Sequence, residues 1–96
     1  MNNKIKIALV GYGYWGPNVA RNLYKNEEYE FAVICDKRGD RVKLARKVYA
    51  NAVSYTENFN DILKDKSIDA VALAVETSAH YTLAKEVLQA GKHVYV

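Results

Sequence analysis

The sequence predicts an α/β protein: a doubly wound parallel sheet of about five strands in the order 3-2-1-4-5, with helices on both faces. Three observations carry that expectation. Apolar runs of strand length alternate with helix-period segments through all 96 residues, joined by short connections. The run Ile68-Asp69-Ala70-Val71-Ala72-Leu73-Ala74-Val75 is almost continuously apolar, as expected of a parallel strand covered on both faces. The first run passes into Gly11-Tyr12-Gly13-Tyr14-Trp15-Gly16, a turn that opens a helix, and Asp36 ends the next run twenty residues beyond Gly16.

Taken in order, Lys4–Val10 is strand one. Its helix runs from about Trp15 to Lys25, with Pro17 suited to a first turn where a missing N–H costs nothing. Val19, Ala20, Leu23 and Tyr24 recur at helical spacing and are expected to face the sheet. Glu30–Cys35 is strand two, a short apolar run bounded by charges. The helix Asp40–Tyr49 carries Val42, Ala45, Val48 and Tyr49 on one stripe, with basic residues opposite. Ala52–Ser54 is a short third strand, and Thr56 is the expected N-cap of a helix over Glu57–Asp65. Ile68–Val75 is strand four. Thr77 or Ser78 caps the helix after it, which runs through Ala90 with Tyr81, Ala84, Val87 and Leu88 inward. Gly91 is placed to end that helix in a left-handed conformation, and Lys92–Val96 is strand five.

In this strand order, strands one and four are neighbours whose connections leave in opposite directions. Ligands bind outside the carboxyl ends of the strands at such a switch point. The loops gathered there are Gly11–Gly16, Asp36–Arg38 and Val75–Ala79.

Length and composition narrow the classes. Residues 1–96 make one domain, half hydrophobic and 26% charged, an ordinary globular balance. The single Cys35 excludes an internal disulfide and fits a reducing cytoplasm; no zinc-ligand spacing is present and no metal is expected. The amino terminus leads into a strand and not into an apolar signal segment. No run approaches 18 apolar residues, so no membrane partner is expected. Of the fourteen basic residues behind the net charge of +3, six fall between Lys37 and Lys47. They read as a solvated helix face, or the first of them meet the adenosine end of a nucleotide. No aromatics interleave the run, and nucleic acid is not an expected partner.

The glycine turn carries the chemistry. Gly11 lets the chain leave strand one sharply, Gly13 lets backbone approach a pyrophosphate, and Gly16 lets the helix pack closely on the sheet. The helix N-terminus offers free N–H donors and partial positive charge to phosphates. Asp36 is suited to the adenosine ribose hydroxyls, which favours NAD; its other reading is an exposed strand-end acid paired with Arg38 or Arg41. Arg38 could instead accommodate a 2′-phosphate, which keeps NADP open. The rings of Tyr14 and Trp15 either shelter a cofactor, meet another domain, or pack within this one. Glu76 contacts a ribose or lies in solvent. His80, near the start of the fourth helix, is a capping or hydrogen-bonding residue, and no catalytic partner for it is visible. The candidate cofactor-binding residues are thus Gly11, Gly13, Tyr14, Trp15, Gly16, Asp36, Arg38, Val75, Glu76 and His80. No catalytic residue is assigned.

The arrangement of Gly11–Gly16, Asp36, Ala70–Val75, His80 and Ala90-Gly91-Lys92-His93-Val94-Tyr95-Val96 resembles the N-terminal domain of the glucose–fructose oxidoreductase / inositol dehydrogenase (Gfo/Idh/MocA) family over essentially the whole chain. The stretch Gly11–Asn18 further resembles the nucleotide-sugar 3-dehydrogenase branch. The resemblance implies a Rossmann domain followed by a larger α/β domain that supplies the sugar site. It also implies hydride transfer between NAD(P) and a hydroxyl-bearing carbon of a sugar or cyclitol. Many members have Thr-Pro where this chain has Val75-Glu76, which removes the threonine contact to the nicotinamide half. The family's Glu-Lys-Pro, whose lysine sits beside the reacting carbon, would begin after Val96. The expectation is therefore an N-terminal fragment, inactive by itself, whose uncovered sheet edge and helix face lead it to self-associate. Its alternatives are a nucleotide-sensing module without chemistry and a scaffold that binds no ligand.

Overall fold

The computed structural model describes residues 4–96. Strands and helices alternate: β1 (Ile5–Val10), α1 (Gly16–Lys25), β2 (Tyr29–Cys35), α2 (Gly39–Tyr49), β3 (Ser54–Thr56), α3 (Phe59–Lys64), β4 (Ala70–Leu73), α4 (Thr77–Gln89) and β5 (His93–Tyr95). All strand pairs are parallel, in the order β3-β2-β1-β4-β5. The expected fold class and strand order are those observed.

Side chains alternate along the strands, and the two faces of the sheet make two cores. Ile7, Leu9, Ala70, Ala72 and Ala74 face α1 and α2, where they meet Ala20, Leu23 and Ala45. Ala8, Val10, Val71 and Leu73 face the other way and meet Ile62 and Val87 of α3 and α4. The three alanines of the β4 segment matter because small side chains leave room for the turn and α1 to lie close to the sheet.

β2 departs from simple alternation. Ile7 pairs with Phe31 but Ala8 pairs with Val33, so Ala32 is an extra residue in the ladder, a bulge that flips the parity of Val33, Ile34 and Cys35. Phe31 and Ile34 consequently share the α1 face, while Val33 and Cys35 pack on the other. By the same alternation Asp36 comes after Ile34 and Cys35 onto the side of the glycine turn. Nothing in the apolar run Glu30–Cys35 signals this slip.

Several expected boundaries shift. β3 is Ser54–Thr56 and not Ala52–Ser54, because α2 runs into a 3₁₀ turn at Ala50–Ala52 entered through Ala50 at φ 47°. The N-cap of α3 is Asn58, whose side chain accepts from the Asn60 amide at 3.0 Å, and not Thr56. Thr56 Oγ1 instead accepts from the Asn58 amide one turn earlier. The residue preceding α4 is Glu76, with no side-chain cap, and not Thr77 or Ser78. Gly91 does adopt a left-handed φ of 81°. The amide of Lys92 bonds to the Val87 carbonyl and that of Gly91 to Leu88, closing the helix as a Schellman motif. Of the residues expected inward, Tyr24, Val48, Tyr81 and Leu88 are exposed.

Among the described residues, Lys92 is one of two buried charged side chains. Its Nζ donates to the carbonyls of Asp65 at 2.6 Å and Ile68 at 3.0 Å, tying the loop before β4 to the start of β5. Among the described residues no helix is long and apolar enough to cross a membrane, and no cluster of His, Cys, Asp and Glu is disposed to hold a metal.

Candidate functional site

The carboxyl ends of β1, β2 and β4 open on a cleft of about 820 Å³. Of the residues expected there, Gly11, Gly13, Tyr14, Trp15, Asp36, Arg38, Val75 and Glu76 line it. Gly16 lies directly behind Gly11 and is buried. His80 is half-buried and outside the lining; its Nε2 is buried without a hydrogen-bond partner among the described residues. Glu57, Phe59, Thr82 and Leu83 also line the cleft and were not anticipated. Glu57 and Phe59 come just after β3, one strand beyond the switch point, and Thr82 and Leu83 sit one turn inside α4. A second cavity of about 560 Å³ lies at the opposite end of β4 and β5, beside Lys64, Lys66 and Lys92.

The three glycines are not equivalent. Gly11 has φ 102°, and a Cβ built on it would stand 2.4 Å from the Ala74 carbonyl oxygen. At Gly16 a Cβ would meet the Gly11 carbonyl oxygen at 2.6 Å. Both are glycine because backbone lies against backbone, and the fold requires them with or without a ligand. Gly13 differs. Its φ is ordinary, and a Cβ there would approach only the Arg38 guanidinium, at 2.9 Å, with nothing else nearer than 3.9 Å. No protein backbone explains that glycine, and only the Arg38 guanidinium stands between it and the cleft.

Tyr12, the residue between the first two glycines, is 4% exposed and belongs to the α1-side core. Burying it turns the chain so that Tyr14 and Trp15 point outward, 84% and 58% exposed. Their rings meet edge to face with centroids 4.4 Å apart. Neither ring is packed into the core of this domain. The amides of Gly13, Tyr14 and Trp15 are taken up by no group of the described residues. Behind them α1 begins with no side-chain cap and no acidic residue in its first turn, which leaves its positive end free for an anion.

Asp36 is 5% exposed, not a surface acid at a strand end. Its Oδ2 accepts from the Tyr12 amide at 2.8 Å and from Arg38 Nη2 at 3.0 Å. Its Oδ1 accepts from the Arg38 amide at 2.9 Å and from Arg38 Nε at 3.0 Å. Burial pushes its carboxyl pKa upward, but the hydrogen bonds from Arg38 and from the Tyr12 amide prevail and hold it below the usual carboxylate value. The neighbouring Cys35 thiol is pushed up to about 12 by burial and by the Asp36 and Asp61 charges, which removes it from nucleophilic or redox chemistry near neutral pH. Of the basic run, Arg38 and Arg41 line the cleft with Lys37, while Arg46 lies 4.4 Å over the Tyr55 ring. The remainder of the run is the solvated face of α2.

A doubly wound sheet with a glycine turn, an open helix N-terminus and a buried acid after β2 defines the class as an NAD(P)-binding Rossmann domain. The family model described as "Oxidoreductase family, NAD-binding Rossmann fold" (Gfo/Idh/MocA) matches residues 5–96. The chain belongs to that family. The inositol 2-dehydrogenase of Salmonella typhimurium is 27% identical over 92 residues, 95% of this chain and 27% of the relative. An uncharacterized Escherichia coli oxidoreductase, YdgJ, is 30% identical over 100% of this chain and 27% of its own length. Among solved structures, the WlbA dehydrogenase of Bordetella pertussis, in complex with NADH and UDP-GlcNAcA, superposes with a TM-score of 0.84. It is 30% identical over 96% of this chain and 28% of that one. The biliverdin reductase of Synechocystis shares the fold at a TM-score of 0.83 and 22% identity, over 94% of this chain and 28% of that one. The chain thus spans about 27% of the length of the curated relatives it matches.

Proposed function

We propose that residues 1–96 are the cofactor-binding domain of an oxidoreductase that acts on a hydroxyl of a sugar, cyclitol or nucleotide sugar. The observation that carries the cofactor site is Gly13: a glycine that the backbone does not need, facing the cleft beside three unpartnered amides and an open helix end. The pyrophosphate would lie over Gly13, Tyr14 and Trp15, where those amides donate to it. Asp36 would receive the adenosine ribose, and Val75 and Glu76 would border the nicotinamide half. A dinucleotide held by these residues would supply a hydride acceptor for the alcohol carbon, with the hydroxyl proton passing to a base. The dinucleotide is NAD, with NADP the alternative that Arg38 allows.

The substrate class rests on likeness to the inositol dehydrogenase and to the dehydrogenase holding UDP-GlcNAcA. Sugar binding and the proton-accepting group belong, in this reading, to the rest of a longer cytoplasmic protein, so the 96 residues alone bind cofactor without turnover. The exposed Tyr81, Leu88, Tyr95 and Val96 on α4 and the β5 edge would lead the isolated chain to self-associate. Titration calorimetry with NAD and with NADP tests the proposal. Saturable binding of at least one is expected, and heat of dilution alone for both refutes it.

A further inference from the structure

Asp36 holds two kinds of donor. Each carboxylate oxygen takes one backbone amide, Tyr12 on Oδ2 and Arg38 on Oδ1, and these belong to the folded loops. Each oxygen also takes one N–H of the same guanidinium, Nη2 on Oδ2 and Nε on Oδ1, both at 3.0 Å. The guanidinium thus presents two parallel donors, one to each oxygen. A vicinal diol offers the same pattern, with two hydroxyls on adjacent carbons. The carboxylate is 4% exposed in its side chain, so these lone pairs are the ones a ribose would have to use. The guanidinium also fills the hollow in front of Gly13.

We propose that Arg38 is a latch: its guanidinium stands in for the ribose diol on Asp36 and yields when a nucleotide enters. The proposal rests on the dinucleotide reading and adds a consequence for selectivity. A cofactor with a free 2′-hydroxyl must compete with Arg38 for Asp36. A cofactor with a 2′-phosphate recruits the same guanidinium as a partner, forming a charge-assisted pair. The arginine side chain is 51% exposed and can swing. The charges of Asp40 and Glu76 also act on it. Arg38 therefore narrows the preference for NAD that Asp36 alone would set.

The test compares the wild-type chain with Arg38→Ala and Arg38→Lys by calorimetry, using NAD, NADP, ADP and 2′-deoxy-ADP. A latch closed about four-fifths of the time weakens a diol ligand about fivefold. Arg38→Ala is therefore expected to bind NAD and ADP about fivefold more tightly than wild type. It should bind NADP about tenfold more weakly, and the gain should shrink or vanish for 2′-deoxy-ADP. Arg38→Lys keeps the charge without the fork, so it should share the gain for NAD and lose less for NADP. If the wild type binds NAD and both variants bind it equally or less tightly, the latch is refuted and the cofactor site stands. If no protein binds either dinucleotide, the cofactor site is refuted and the latch falls with it. Circular dichroism of each variant establishes that the fold is retained.

Discussion

Replacing each glycine of the turn by alanine separates what the fold needs from what a ligand needs. At position 11 the substitution forces an alanine to φ 102°, which costs about 1–3 kcal/mol, and drives its Cβ to 2.4 Å from the Ala74 oxygen. Backbone on both sides leaves little room to relax, and such overpacking adds about 1–3 kcal/mol. The sum is on the order of 4 kcal/mol, a large part of the roughly 5–10 kcal/mol that stabilises a domain of this size. At about 4–8 °C per kcal/mol, Gly11→Ala should melt roughly 15–30 °C below the wild type. Gly16→Ala, with a contact of 2.6 Å to the Gly11 oxygen at an ordinary helical φ, should lose about 2–3 kcal/mol. Gly13→Ala meets only the movable end of Arg38. The guanidinium swings aside and the unfolded chain loses some freedom, so stability should stay within about 0.5 kcal/mol of wild type.

Binding should rank the other way. A methyl group at position 13 stands between the amides and a pyrophosphate, so Gly13→Ala should remain folded yet lose at least about tenfold in dinucleotide affinity. Thermal melts followed by circular dichroism, with calorimetric titration of NAD and NADP, read both quantities on the same samples. If Gly13→Ala melts as low as Gly11→Ala, the turn needs that glycine for its own backbone and the case for a cradle is lost. A stable Gly13→Ala with wild-type affinity would place the phosphates elsewhere.

Other consequences concern the acid, the thiol and the buried lysine. Asp36→Asn leaves one of two backbone amides, that of Tyr12 or that of Arg38, facing a donor and removes the charge that holds the guanidinium; a loss of roughly 2 kcal/mol in urea unfolding is expected. Because the folded Asp36 carboxyl lies below its usual value, its contribution is present above pH about 4. That contribution is lost as pH falls through the depressed folded value, so wild-type stability should drop more steeply there than that of Asp36→Asn. Asp65, lowered chiefly by the Ser67 hydroxyl and amide, adds loss of the same sign in both proteins. Cys35, buried and with its thiol raised to about 12, should resist a thiol reagent at pH 8 until denaturant opens the chain. Lys92→Met strands the carbonyls of Asp65 and Ile68 and should cost about 2–3 kcal/mol by chemical unfolding, while leaving dinucleotide affinity per folded molecule unchanged.

The fold was legible because its signals are local and repeated. The apolar run through Ala70–Leu73 and the helix-period stripes each name an element, and short connections leave few ways to join them. The misplaced boundaries fall where two local choices were nearly equal. Thr56 and Asn58 can both cap a helix, and only the end of the β3 ladder decides that Asn58 does so. The outward positions of Tyr81 and Leu88 depend on how much of α4 the narrow β5 edge covers, a property of three-dimensional extent that spacing along a helix does not encode. The bulge at Ala32 is less visible still, since an apolar alanine reads the same paired or unpaired.

At the site the division is sharper. Spacing identified Gly11, Gly13, Gly16 and Asp36 as one set but could not rank them. Ranking required knowing what each missing Cβ would strike. Those contacts assign Gly11 and Gly16 to the architecture and leave Gly13 to the cleft. Asp36 likewise carried two readings in the sequence, ribose acceptor or partner of an arginine, and the structure shows the arginine seated on it. The carboxylate is fixed from behind by two amides and covered in front by Arg38, whose fork has the donor pattern of a diol. In the proposed latch, an acid prepared for a ribose and an arginine seated on that acid are two states of one site, and the free energy between them would set which cofactor the domain takes.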